Sequence, residues 1–296
     1  MIMTGIYIKQ QGEILFKEMI FMYSTDWHIH SEASYDASLS VEELINSAKE
    51  IGIEKFGITD HANVNIPSFW DNMYESKRLY DKYKHDGFYF GVELTTIPKS
   101  LYDYCAKHGT NEGYEFTSVD RDPGLEFMLT LEDMEKLGIM YSVAAAHSTF
   151  NVGSEQDKII REWHRQQMYI VQDPRVDVLA HPWWCWRSQK WTDKELADFS
   201  KVPKSMNDEL ASAMAENDVY IEANPSMIFG DSMPERFYRQ YNEFLREMFE
   251  RGVKLVFGSD THNSPYKDHR ENVRDSLGIV GFKEEDFSIP KIHNRG

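Results

Sequence analysis

The sequence predicts an α/β fold in which seven parallel strands close into a barrel, and three observations carry that prediction. Short apolar runs alternate with helical stretches along the 296 residues. The intervals between runs exceed the dozen or so residues that a parallel connection needs, and a helix is the usual crossover. A His or an acid also closes strand after strand, on the rim where barrels of this kind assemble their chemistry. An open doubly wound sheet is the alternative. It would gather its site at one switch point, whereas six of the seven strand ends here carry candidate metal ligands.

The first strand begins near Met22 and runs to His28, with Ile29-His30 just beyond. Ser40-Val41-Glu42-Glu43 then forms a capping box. Val41, Leu44, Ile45 and Ala48 recur at helical spacing, and Gly52 supplies a stop. Lys55–Thr59 reads as a buried strand ending at Asp60-His61, and a helix around Met73–Lys84 leads to the strand Phe88–Val92, which stops at Glu93. A helix starts near Thr130. The strand Ile139–Ala146 follows and ends at His147; a polar helix over Glu155–Val171 precedes Val176–Ala180, which ends at His181-Pro182. A helix over Asp208–Glu216 leads into Val219–Asn224. The amphipathic helix Glu235–Arg251 stops at Gly252, and Val253–Phe257 opens into Gly258-Ser259-Asp260-Thr261-His262. Residues 98–129 break the rhythm without a clear period, and a loop of that length is expected to be a rim excursion near the site. Val273–Leu277 gives a last helical turn or two.

Lys and Arg number 32 against 49 Asp and Glu, a net charge of −17, which argues against a surface built to hold phosphate backbones; nucleic acid is not expected as a partner. The longest apolar runs fall short of the ~20 residues that span a bilayer, so no membrane contact is expected. Cys105 and Cys185 make no disulfide framework, the N-terminus lacks the pattern of a signal peptide, and a cytoplasmic location is expected. Residues 1–21 read as an N-terminal extension to which the sequence assigns no role, with Met22 as an alternative start. Residues 22–296 are expected to form a single barrel domain.

His28-Ile29-His30 places two imidazoles on the same side of an extended chain, where both can grip one ion. An isolated H-x-H is weak evidence. The joint pattern is stronger, because His61, Glu93, His147, His181, Asp260 and His262 each close or follow an apolar strand. Imidazole and carboxylate together suit zinc, manganese or iron better than magnesium. Eight or nine ligands exceed what one ion uses, so the count implies two or three ions, with Glu93 as the bridge. Asp26 and Asp60 are expected to orient imidazoles from behind. His85, His108, His164, His269 and His293 read as ordinary surface residues.

These motifs resemble the PHP family, the polymerase and histidinol phosphatase superfamily of metal-dependent phosphoesterases, which are distorted (β/α)7 barrels. The resemblance runs from Met22 to His262 through His28-Ile29-His30, Thr59-Asp60-His61, Glu93, His147, His181-Pro182 and Asp260-Thr261-His262. It implies that His28, His30, Glu93 and Asp260 hold one metal, that Glu93, His147 and His181 hold a second, and that Asp36, His61 and His262 complete a third. Histidinol phosphatases often have a His followed by Gly at the position of Asp36, where this chain reads Ser34-Tyr35-Asp36-Ala37-Ser38.

A cluster of this kind supports attack on phosphorus by a hydroxide bridging two metals, with Glu93, Asp260 and His262 as the catalytic residues. The expected substrate is a small phosphomonoester. Trp183 and Arg187, in Pro182-Trp183-Trp184-Cys185-Trp186-Arg187, are candidates for an aromatic wall and a phosphate clamp; packing of the loop against the barrel is the equal alternative. Histidinol phosphate specifically, a phosphodiester or nucleic acid, C–N bond hydrolysis and a metal-binding module without turnover are the competing readings. Amidohydrolases usually place a modified lysine where this chain has His147, which favours phosphorus.

Overall fold

Seven parallel strands follow one another around a sheet in sequence order: β1 (Thr25–Ile29), β2 (Lys55–Ile58), β3 (Phe88–Thr95), β4 (Tyr141–Ala145), β5 (Val178–Leu179), β6 (Tyr220–Ala223) and β7 (Leu255–Phe257). A computed structural model describes residues 24–63, 69–114, 124–150, 152–188, 197–263 and 270–294 of the chain. The sheet returns on itself beyond β7. The Asp260 amide donates to the His28 carbonyl (2.7 Å) and the His30 amide to the Thr261 carbonyl (2.9 Å), so the last strand end is tied to the first. The barrel expected from the alternation is therefore the one observed, and the open sheet is not. The extension at 1–21 lies outside the described residues, and no described helix is long and apolar enough to cross a membrane.

Local chemistry explains the helix ends. Ser40 caps Val41–Ile51 in a complete capping box, and Thr130 with Asp133 repeats the device on Leu131–Leu137, each helix being closed by a glycine. The other crossovers include Phe69–Tyr83, Gln156–Gln172, Lys204–Asn217 and Glu235–Glu250, close to the spans read from periodicity. The excursion after β3 carries secondary structure for which the sequence showed no clear period. Ile97–Pro98 pairs antiparallel with Leu125–Glu126, and a helix, Lys99–His108, stands between them. Its pattern was too short to read, because only Leu101 and Cys105 are buried along it, joining Ile97 in a small apolar cluster.

The barrel interior is apolar at its N-terminal end. Trp27, Tyr141, Val143, Ala145, Val178, Ala180, Tyr220 and Val256 fill it, while a larger cluster packs between strands and helices. Along β4 the inward residues Tyr141, Val143 and Ala145 lead at period two to His147. The first strand needs an extra device. Between Asp26 and Ile29 it advances three residues while β2 advances two, a bulge that keeps Trp27 in the interior cluster and puts Ile29 in the outer one. At the opposite end the tail closes over the sheet: the Ser288 amide donates to the Leu255 carbonyl, and His293 Nε2 lies 2.8 Å from Asp177. His293 is thus a structural contact, not the free surface residue expected.

Tyr141 crosses the interior, with its hydroxyl on the Trp27 carbonyl (3.1 Å), and this crossing dictates a glycine on the neighbouring strand. A Cβ at Gly91 would lie 2.6 Å from the Tyr141 ring and 2.8 Å from Thr59 Cγ2. Gly91→Ala is therefore expected to lower stability by about 1–3 kcal/mol in denaturant melts, the usual cost of overpacking. Gly278→Ala, whose methyl meets nothing within 4 Å, should stay within about 0.5 kcal/mol. Equal shifts for the two variants would refute the packing argument.

Candidate metal centre

The inward faces of the strands converge at the C-terminal end of the barrel. His28 lies within the bulge of β1 and His30 just beyond it; His61 lies in a two-residue strand beyond β2 that pairs with β3 opposite Glu93. Glu93 sits inside β3, not at its end, because the strand runs on to Thr95. His147 and His181 come from the loops after β4 and β5, and Asp260 and His262 from the turn after β7. His181 (φ 25°) and Asp260 (φ 56°) both occupy the left-handed region that residues with a Cβ seldom adopt, a strain typical of functional sites.

The donor atoms form a connected set around Glu93. His28 Nε2 and His30 Nε2 are 3.1 Å apart, each is 3.3–3.4 Å from Asp260 Oδ1, and each is 3.5 Å from Glu93 Oε2. Donors held tetrahedrally at 2.0–2.1 Å from an ion are spaced by roughly 3.3–3.4 Å. The other oxygen of Glu93 faces His147 Nε2 (3.2 Å) and His181 Nε2 (3.3 Å). His61 reaches both ways, with Nδ1 2.6 Å from Glu93 Oε2 and Nε2 3.3 Å from Asp36, whose carboxylate is also 3.6 Å from His262 Nε2.

All nine residues expected as ligands are thus brought together, and their orientation fits cations. Glu93 Oε2 and His61 Nδ1 are buried and close, yet neither has a hydrogen-bond partner, and His181 Nδ1 is also buried without one. A cation among these donors would supply the partner that the Glu93 and His61 atoms lack. Four groups of three donors, each within 4.8 Å of one another, cover His28, His30, His61, Glu93, His147, His181, Asp260 and His262.

The electrostatics have the same origin. Burial works against ionised Glu93 and Asp260, but the surrounding imidazoles hold both carboxyls below their ordinary range. Burial would also depress His28, yet Glu222, Asp260 and Glu93 hold it well above its usual value, and Glu93 and Asp36 hold His61 up at about 10. Burial, His61 and His262 push His30 down to about 3. Neighbouring rings are driven in opposite directions because four carboxylates, Glu93, Asp260, Asp36 and Glu222, are unevenly shared among six imidazoles.

Behind the donors stands a residue the sequence reading missed. Glu222 is fully buried in β6, the one strand without an expected ligand. Its Oε1 is 2.7 Å from His28 Nδ1, and its Oε2 accepts the His181 amide at 2.6 Å. A proton on His28 Nδ1 directs the Nε2 lone pair into the site. The signal was an acid inside an apolar strand that is covered on both faces. Gly258 makes room, since a Cβ there would lie 2.7 Å from that of His28.

Asp26 and Asp60, expected to orient imidazoles, take backbone and hydroxyl donors. Asp26 accepts the His28 and Ser259 amides, and Asp60 accepts the Ser31 amide together with the hydroxyls of Ser31 and Ser76. On the other side, Thr95 Oγ1 is 3.1 Å from His147 Nδ1. Gln166 receives the Thr96 hydroxyl and donates to the Ser148 carbonyl, and Gln167 accepts the Trp183 amide. Two adjacent glutamines of one helix therefore fix the loops after β3, β4 and β5.

A cleft of about 650 Å³ opens onto the site, lined by Asp36, His61, His147, His181, Asp260 and His262 among others. Trp183, a candidate for its wall, is instead fully buried and lies parallel to His164, which is itself part-buried with Nε2 on the Met206 carbonyl. A left-handed turn at Trp183 (φ 62°) sends that ring into the core and leaves Trp184 on the cleft, 4.8 Å from the His181 ring. The side chain of Arg187 lies outside the described residues.

Residues 26–226 match the profile of the PHP domain. The chain belongs to the PHP domain family. Asp260 and His262 lie beyond the matched span and reach the PHP site through the closure of β7 on β1. A probable phosphatase of Acetivibrio thermocellus is 27% identical over 242 residues, covering 82% of this chain and 80% of its own length. A probable histidinol-phosphatase of Thermotoga maritima is 24% identical over 243 residues, covering 81% and 85%. The histidinol phosphate phosphatase of Lactococcus lactis, solved with zinc, L-histidinol and phosphate, superposes with a TM-score of 0.61 at 17% identity, covering 91% of this chain and 98% of that one, which shows the shared fold.

Glu222→Gln keeps the size and most hydrogen bonds of Glu222 but removes its charge from His28. Bound divalent metal is expected to weaken by about 10–100-fold, with the far-ultraviolet circular dichroism unchanged. Unaltered metal affinity would remove Glu222 from this role.

Proposed function

We propose that this PHP-family chain is a metal-dependent phosphoesterase that hydrolyses a small phosphomonoester. The observation that carries the reading is the division of Glu93, whose two oxygens face different sets of imidazoles. His28, His30, Glu93 and Asp260 would hold one divalent transition ion, Glu93, His147 and His181 a second, and Asp36, His61 and His262 a third, with zinc, manganese or iron fitting the donor set. When bound, such ions lower the pKa of water toward neutrality and offset charge on phosphoryl oxygens.

The protein's own part is orientation. Glu222 holds the proton of His28 at Nδ1, and the Asp260 carbonyl does the same for His262 Nδ1 at 2.8 Å. Both rings then present Nε2 to the site. Glu93, sealed from solvent, fixes the spacing of the sets, while Asp260 and His262 stand at the cleft, where the phosphoryl group would enter. The names of the two relatives support a phosphatase, and the net charge of −17 disfavours nucleic acid as substrate.

The direct experiment loads the protein with manganese or zinc, counts metal per chain, and offers phosphomonoesters, histidinol phosphate among them, phosphodiesters and an amide. Two or three ions per chain with monoester turnover are expected; turnover of diesters or amides alone would overturn the reading. His30→Ala and Glu93→Ala should each abolish activity and lower bound metal. His85→Ala, on an exposed residue before β3, should change neither.

A further inference from the structure

Beside the imidazoles and carboxylates, the cleft has a second surface of different chemistry. Ile97, Pro98, Leu101, Phe150 and Trp184 line it. Ile97 and Leu101 belong to the excursion after β3, and their own cluster with Cys105 holds them in place. Leu101 and Phe150 keep only 6% and 9% of their surface exposed, so this wall is built and not incidental. A further ring of the lining, Tyr35, lies 5.3 Å from His61, as Trp184 lies against His181.

The wall's position relative to the donors determines what it touches. Ile97 is four residues beyond Glu93, Phe150 three beyond His147, and Trp184 three beyond His181. Past Glu93 near the end of β3, and in the loops that carry His147 and His181, the chain thus turns at once into an apolar contact, which sets the wall beside these donors, where the alcohol portion of a phosphate ester would project. Of the hydroxyls that line the cleft, that of Thr96 is donated to Gln166 at 2.6 Å and that of Thr95 lies 3.1 Å from His147 Nδ1, while Ser148 and Thr149 lead into Phe150. A volume of about 650 Å³ suits one small molecule.

We propose that this wall is the leaving-group pocket, and that the substrate is a phosphomonoester of an alcohol bearing a compact apolar, ring-containing group, not of a sugar or another polyol. The proposal rests on the phosphomonoesterase reading above. Hydrophobic pockets discriminate by about 10–200-fold for a single methylene. A ring against Phe150 and Trp184 should therefore give at least about tenfold.

The test compares 2-phenylethyl phosphate with glycerol 1-phosphate, two alkyl esters, on the metal-loaded full chain. The expected result is a kcat/KM at least about tenfold higher for the phenylethyl ester, with that ratio collapsing in Phe150→Ala and Trp184→Ala. A ratio is independent of the fraction of each variant that folds. As a check that needs no variant, 2-phenylethylphosphonate should inhibit the wild-type enzyme at least about tenfold more tightly than 2-hydroxyethylphosphonate. Equal or reversed preference, or a preference that survives both substitutions, overturns the leaving-group pocket while leaving the phosphatase reading intact. Turnover of neither ester, nor of any other monoester, overturns both.

Discussion

A carboxylate with no exposed surface, Glu93, is the constraint on which the rest of the structure depends. Taking such a charge out of water costs several kcal/mol unless opposite charge surrounds it. Here that charge comes from imidazoles on both sides, and the imidazoles come from different strands. The barrel is the arrangement that lets strands distant in sequence aim at one point. Its closure at Asp260 and His28 is the step that brings the last donors to the first.

The same convergence explains the local irregularities. The bulge in β1 lets Trp27 seal the apolar end of the interior without turning the following histidines away from the site. Gly91 and Gly258 are empty positions that allow Tyr141 and Glu222 to cross the barrel. His181 and Asp260 accept left-handed backbone to aim side chains that regular strand geometry would send elsewhere. Fixed cross-barrel contacts, including Glu222 on both His28 and the His181 amide, hold these strained turns in place.

The donors were legible in the sequence because a rim position has a linear signature: an apolar run, then a His or an acid. Strand order and most helix spans followed from the same alternation. What escaped depends on long-range contact. Glu222 lies within its strand, so no strand end marks it. Asp60 sits beside His61 in sequence but points at Ser31 and Ser76, since adjacent residues face opposite sides. Trp183 and Trp184 are interchangeable in composition, and one left-handed residue decides which enters the core. The helix Lys99–His108 has too few buried positions to show a period.

Chemistry and selectivity are built by the same loops and so constrain each other. The C-terminal part of β3 and the segments after β4 and β5 each carry a donor and, three or four residues later, a wall residue. Gln166 and Gln167 tie all three to one helix through Thr96, Ser148 and Trp183. Buried amides with these partners cannot be exchanged for apolar residues without stranding a hydroxyl, a carbonyl and an amide, each at a cost of about 1–3 kcal/mol. The spacing of the loops is therefore more tightly fixed than the side chains at their tips. None of these clamping bonds runs through the side chains of Ile97, Phe150 and Trp184, so their identity can change while the loop backbones stay clamped. In this arrangement a reacting centre can keep its geometry while the accepted alcohol changes.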